Sequence, residues 1–369
     1  MRQRILIATF LFIILSFFIN VLTGCDGGTG TGPIIPGLTP SVVTMQDITE
    51  TEVIDPIGEA AINSDDPNAF RYAANQIRNL DFVKAVYADE DEMLVEYDWG
   101  GTEVWMDQPD YQETDSARSE KSLISSDYAN SLLKAVGNKY AVIYDSTYDD
   151  PGFAFDKPNL DGVEKELKAA GFTIVSKHGS LATVDSFKEV KDYGVIIYTG
   201  HGGLEDELAS NTFYSIMTGE SYSKPDTSST KFEDWKNNRI ESMTVDWGKT
   251  GSKTTKTFWA VTNKYFDYHR TSLNNSLFFN LACEGMKPSS KVTIHPMAAS
   301  LINLGAGVYL GWTKNVSDTG RVANSFIKEM GTGLTVGEVY NKGWENDPSD
   351  GGVLKYYPED STGADITLK

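Results

Sequence analysis

Cysteine is nearly absent: the 369 residues contain only Cys25 and Cys283. That excludes a disulfide-stapled scaffold and leaves no cysteine set for a zinc site. Histidine is almost as scarce, with His178, His201, His269 and His295. No two of them stand at metal-ligand spacing, so no metal is expected. Positive charge is also short, with 32 basic against 52 acidic residues and a net charge of −20. Such a chain is a poor partner for nucleic acid or an anionic membrane surface, and the excess charge serves solubility. Long apolar runs are confined to residues 5–22, and there is no internal repeat. The remaining composition is ordinary, 40% hydrophobic, enough for the core of one large domain and a smaller one.

The N-terminus has a basic start at Arg2 and Arg4, the apolar run, and then Thr23-Gly24-Cys25. This order predicts a secretory signal over residues 1–24. An uncleaved membrane anchor is the alternative, because the run approaches spanning length. Leu22-Thr23-Gly24-Cys25 resembles the bacterial lipobox. The resemblance implies that Cys25 becomes the lipidated first residue of an extracytoplasmic, membrane-anchored lipoprotein. Residues 25–40, rich in Gly, Thr and Pro, read as a flexible tether.

Residues 41–111 predict a small α+β module, either an accessory domain or a pro-segment. Asp66-Pro67 opens a helix to Asn79 with Phe70, Ala73, Ala74 and Ile77 on one face. Strands follow at 82–87, 93–97 and 102–106, the last two joined by a turn at Asp98-Trp99-Gly100-Gly101. The acidic run at 89–92 suits a solvated turn better than a calcium site. Residues 112–137 read as a polar linker.

From 138 to 369 strands and helices alternate as a mostly parallel sheet with helices on both faces requires. Strands are expected at 139–144, 172–176, 195–198 and 308–312, with helices at 160–170, 184–191, 297–304 and 319–330. Thr335 and Glu338 stand at capping-box spacing. An insertion at 204–271 carries a hairpin of 243–247 with 257–261. Its polar stretch 219–257 holds seven Lys and Arg residues and reads as an exposed loop, either a solvated insertion that is never cut or a target for self-nicking.

Two apolar runs end on reactive side chains. Residues 193–200 lead to His201-Gly202-Gly203, and residues 276–282 lead to Cys283-Glu284-Gly285. Near-continuous apolar sequence marks buried parallel strands, and open α/β sheets place their sites at strand C-termini. An imidazole beside a thiol is the minimum equipment for nucleophilic acyl transfer. Taken alone, Cys283 also suits a structural core cysteine, and the other three histidines read as surface or core-polar residues.

An apolar strand ending in His201-Gly202, followed by one ending in Ala282-Cys283-Glu284-Gly285, resembles the caspase, gingipain, clostripain and legumain group of cysteine peptidases. The resemblance covers roughly residues 138–369. It implies a caspase-like fold, Cys283 as nucleophile, His201 as general base and acid, and an oxyanion hole from the Gly202 and Cys283 N–H groups. It also implies a peptide or protein substrate, no cofactor, and cleavage after Lys or Arg as in clostripain and gingipain. Leu281 stands where caspases carry a glutamine that helps hold a substrate aspartate, so aspartate specificity does not follow. Asp145, at the end of the first strand, is either the group that orients His201 or a turn-former. Asp318 either lines a specificity pocket or caps a helix, and Trp312 either walls that pocket or packs. A peptide-binding envelope module without catalysis is the competing function, and transpeptidation through the same acyl-enzyme is a third.

Overall fold

The computed structural model describes residues 45–107, 134–205, 212–248, 254–269, 272–316, 319–343 and 351–369, apart from positions 65, 91 and 155. Helix α1 (Met45–Ile62) opens it. Helix α2 (Ala69–Ile77) buries Phe70, Ala73, Ala74 and Ile77, the face its periodicity predicts. An antiparallel meander follows: β1 (Val83–Ala88), β2 (Glu92–Tyr97) and β3 (Thr102–Met106). After the short β4 (Lys134–Ala135) come β5 (Tyr140–Asp145), α3 (Lys157–Ala169) and β6 (Thr173–His178). The helix expected at 184–191 is a 3-10 helix, Asp185–Asp192, leading into β7 (Val195–Thr199).

The middle of the chain holds β8 (Gly202–Glu205), β9 (Phe213–Ser221), α4 (Thr230–Lys236), β10 (Ile240–Trp247), β11 (Thr254–Thr262) and α5 (Asn263–His269). The chain closes with β12 (Leu277–Asn280), α6 (Pro296–Asn303), β13 (Val308–Trp312), α7 (Thr319–Gly331), α8 (Val336–Tyr340), β14 (Leu354–Tyr357), α9 (Ser361–Ala364) and β15 (Ile366–Thr367). The capping box at Thr335 and Glu338 is present.

The architecture is mixed α/β. A six-stranded sheet runs β14-β13-β12-β7-β5-β6, parallel except for β14 at its edge. Both faces are covered. Val142, Tyr144, Ile196, Tyr198 and Phe278 meet Phe187, Phe266 and Leu301 on one side. Ala141, Ile143, Ile197, Phe279 and Leu310 meet Leu167, Val322 and Phe326 on the other. Burial from two sides is why these strands read as unbroken apolar runs.

A second sheet of seven strands runs β1-β2-β3-β10-β11-β9-β8. The predicted hairpin is there as β10 against β11, with Met243 opposite Phe258. β3 joins it in parallel, with Ser242 opposite Glu103, so strands from 83–106 and from the insertion share one sheet. Residues 43–369 accordingly form one compact unit. The stretch 219–257 departs from the flexible loop its polarity suggested. β9 extends to Ser221, α4 is capped by Ser229, and Phe232 and Trp235 are buried. Arg239 is ion-paired with Asp234 at 2.8 Å, and Lys231 with Glu220. The reason is tertiary: polar residues on one side of each element hide aromatic ones on the other. Lys249 and Lys253 lie outside the described residues.

Candidate active site

β7 and β12 are neighbours in the six-stranded sheet, with Tyr198 opposite Asn280. His201 lies three residues beyond Tyr198, and Cys283 three residues beyond Asn280. Pairing persists past the strand, because the Leu281 N–H donates to the Tyr198 carbonyl at 2.8 Å. The two loops stay in touch further out. A Cβ built on Gly202 would lie 3.0 Å from the Ala282 Cβ, and the Leu204 N–H donates to Glu284 Oε2 at 3.3 Å. The sheet thus brings the imidazole loop and the thiol loop together at the C-terminal ends of its two central strands.

On the imidazole side the chain turns at Gly200, whose φ of +148° is costly for any residue with a Cβ. A Cβ there would also collide with Ser146 Oγ. The His201 carbonyl accepts from the Tyr198 hydroxyl at 2.7 Å and from the Met217 N–H at 2.9 Å. Its ring meets Phe153 edge-on at 5.3 Å. Burial pushes the His201 pKa down to about 4, so the imidazole is neutral around pH 7.

On the thiol side Cys283 is half-buried and takes part in no disulfide. Its Sγ faces Val316, accepting from that residue's N–H at 3.5 Å and lying 3.8 Å from its carbonyl oxygen. Glu284 follows with a φ of +58°, a left-handed conformation that few residues other than glycine adopt. Its surroundings fix it there: the Glu284 N–H donates to the Lys314 carbonyl at 3.0 Å, and Oε1 pairs with Lys287 at 2.6 Å.

Beneath the thiol loop lies a buried polar network that sequence reasoning missed. The Asn280 amide nitrogen donates to the Tyr214 hydroxyl at 3.0 Å and to the Tyr309 hydroxyl at 2.8 Å. Its carbonyl accepts from the Ala282 N–H at 3.0 Å. The Tyr214 hydroxyl donates onward to the Cys283 carbonyl at 2.6 Å. The His295 ring is 4.7 Å from that of Tyr214 and 6.3 Å from that of Tyr309, and burial pushes its pKa down to about 3. The one local signal was Asn280 itself, an amide ending an otherwise apolar run.

Asp145 ends β5 opposite Thr199, close to the imidazole loop. Its carboxylate accepts from the Thr147 hydroxyl at 3.2 Å and from the Thr147 N–H, closing its own turn, and burial pushes its pKa up to about 6. Trp312 is fully buried in the core with Val316 and Leu354. Asp318 and Cys25 lie outside the described residues. His178 packs on Tyr148 at 4.3 Å, and His269 sits 3.6 Å from Asp234.

No family model matches the chain, and no curated protein matches it. Among solved structures, the Drosophila initiator caspase Dronc is similar at 9% identity over 71% of this chain and 97% of that one, with a TM-score of 0.31.

Proposed function

We propose that the protein is a caspase-like cysteine endopeptidase held to the bacterial cell envelope by a lipid on Cys25. The observation that carries this reading is the shared register of His201 and Cys283, each three residues beyond a paired position on adjacent parallel strands. A buried neutral imidazole is the base form that proton removal from a thiol needs. In the reaction Cys283 passes its proton to His201 as sulfur attacks the scissile carbonyl carbon. The carbonyl π pair becomes an oxyanion, received by the Gly202 and Cys283 N–H groups. Collapse breaks the C–N bond, the amine leaves with the proton from His201, and a thioester remains on Cys283. Water then gives a proton to His201 and attacks the thioester, releasing the acid and restoring the thiol. No step calls for a cofactor.

The sequence resemblance supports cleavage after Lys or Arg, and Asp318 or Asp145, each placed near a strand end in the sequence, would supply a pocket carboxylate with charge-assisted hydrogen bonds to the substrate cation. A peptide-library profile dominated by Asn or Asp before the cut would reject that preference. Cys25→Ser should abolish lipid attachment in the native host, and an unmodified Cys25 on the mature chain would exclude the anchor. The reading as a whole is tested by turnover of fluorogenic peptides by the wild type, Cys283→Ala and His201→Ala. Either substitution should reduce kcat by about 10³-fold or more while the fold is kept. Retained turnover in Cys283→Ala would refute it.

A further inference from the structure

β9 touches the backbone of both reactive residues. Its Met217 N–H donates to the His201 carbonyl at 2.9 Å, and the Tyr198 hydroxyl donates to the carbonyls of both His201 and Met217. Three residues earlier on the same strand, the Tyr214 hydroxyl donates to the Cys283 carbonyl at 2.6 Å. Tyr214 is itself fixed from two directions. Its N–H donates to Asn263 Oδ1 at 3.0 Å, and its hydroxyl accepts from Asn280 Nδ2. It is fully buried, and Gly202 packs against its hydroxyl. β9 belongs to the seven-stranded sheet, whereas Cys283 leaves the six-stranded one.

We propose that Tyr214 is a positioning residue for Cys283, whose hydroxyl makes the geometry of the thiol conditional on the seven-stranded sheet. The physical reason lies in the peptide unit it holds. The Cys283 carbonyl is the hinge between the thiol-bearing residue and Glu284, which is kept in a left-handed conformation. Without a donor on that carbonyl, the Cys283–Glu284 peptide can rotate and carry Cys283 with it. Displacements of this kind cost much more in rate than in stability, because near-attack geometry is steep in distance. Burial keeps the Tyr214 hydroxyl protonated, and so a permanent donor.

This proposal rests on the peptidase reading, and its test separates the two. Tyr214→Phe in the full chain removes the hydroxyl and keeps the ring. Tyr265→Phe is the matched control: it deletes another buried tyrosine hydroxyl, which donates to the Val184 carbonyl at 2.9 Å away from the site. Three quantities are read for each protein: kcat and KM on a cleaved peptide, the pH profile of Cys283 alkylation by iodoacetamide, and the melting temperature. Tyr214→Phe should lower kcat by about 10-fold to 100-fold with KM within about twofold. It should also displace the alkylation profile from that of the wild type. Tyr265→Phe should lose a similar amount of thermal stability and keep the wild-type kcat and alkylation profile. A wild-type kcat and profile in Tyr214→Phe, or parallel losses in both variants, would overturn the proposal. If no peptide is cleaved by the wild type, the peptidase reading fails, and the alkylation profiles alone decide the positioning. Should Tyr214→Phe not fold, Asn263→Ala loosens the same residue through its backbone; an unchanged kcat and profile there would overturn the proposal too.

Discussion

Asn280 is where the local sequence and the site meet. Its amide orders the turn before Cys283 and ties two tyrosines from two sheets. His201 and Cys283 were legible because each follows an apolar strand and precedes a glycine or a turn. Tyr214, Tyr309 and His295 were not, since their neighbours are set only by tertiary packing. Gly200 provides a residue-scale prediction. Gly200→Ala must place a Cβ on Ser146 Oγ at a φ of +148°, and should destabilise the fold by about 2 kcal/mol or more. An unchanged denaturant midpoint would contradict it.

Histidine burial provides a second. His201 is held near pKa 4 and His295 near 3, while an unfolded chain protonates them near 6.5. Between pH 6.5 and 4 the unfolded state therefore binds more protons, and both residues subtract stability as pH falls. Asp145, raised to about 6, and Glu241, raised to about 7, act in the opposite sense over part of that range. Comparison with a variant isolates one contribution: His201→Gln should show a melting temperature that falls less between pH 6.5 and 4 than the wild type. Parallel curves would contradict the burial argument.

At the scale of elements, the buried parallel strands were readable because apolar runs of that length have little alternative. β13 falls where its sequence predicts, and α2 buries the expected face. α1 escaped because its apolar residues keep no clear stripe and Pro56 and Gly58 interrupt it. β9 escaped because Ser215, Thr218 and Gly219 dilute its apolar pattern, although Thr218 satisfies its hydroxyl on the Trp259 carbonyl at 2.7 Å. The turn between β2 and β3 shows what such elements do together. Trp99 stacks on Tyr97 at 5.2 Å and on Phe232 at 6.1 Å, and meets Trp235 edge-on at 5.0 Å. It joins the meander to the insertion, so Trp99→Ala should cost on the order of 3 kcal/mol. A urea midpoint within error of the wild type would reject that role.

For the whole molecule, the pairing of β3 with β10 had no local signal, since the partners are far apart in the chain. That pairing makes the first meander part of the sheet that carries β9. A protease site placed within residues 108–133 and then cut should yield two fragments that co-elute and retain the activity of the intact chain. Separate elution of 134–369 as a folded, active species would show the meander to be dispensable. The central claim is that two adjacent strand ends form one reactive pair. Its most direct measurement is labelling of the full chain with a peptidyl acyloxymethyl ketone, followed by peptide mapping. The sulfur should displace the carboxylate and form one thioether, at Cys283, with labelling slowed by about 10²-fold or more in His201→Ala. Equal labelling rates in the wild type, His201→Ala and the unfolded chain would mean that Cys283 is an ordinary thiol and that the pair does not exist.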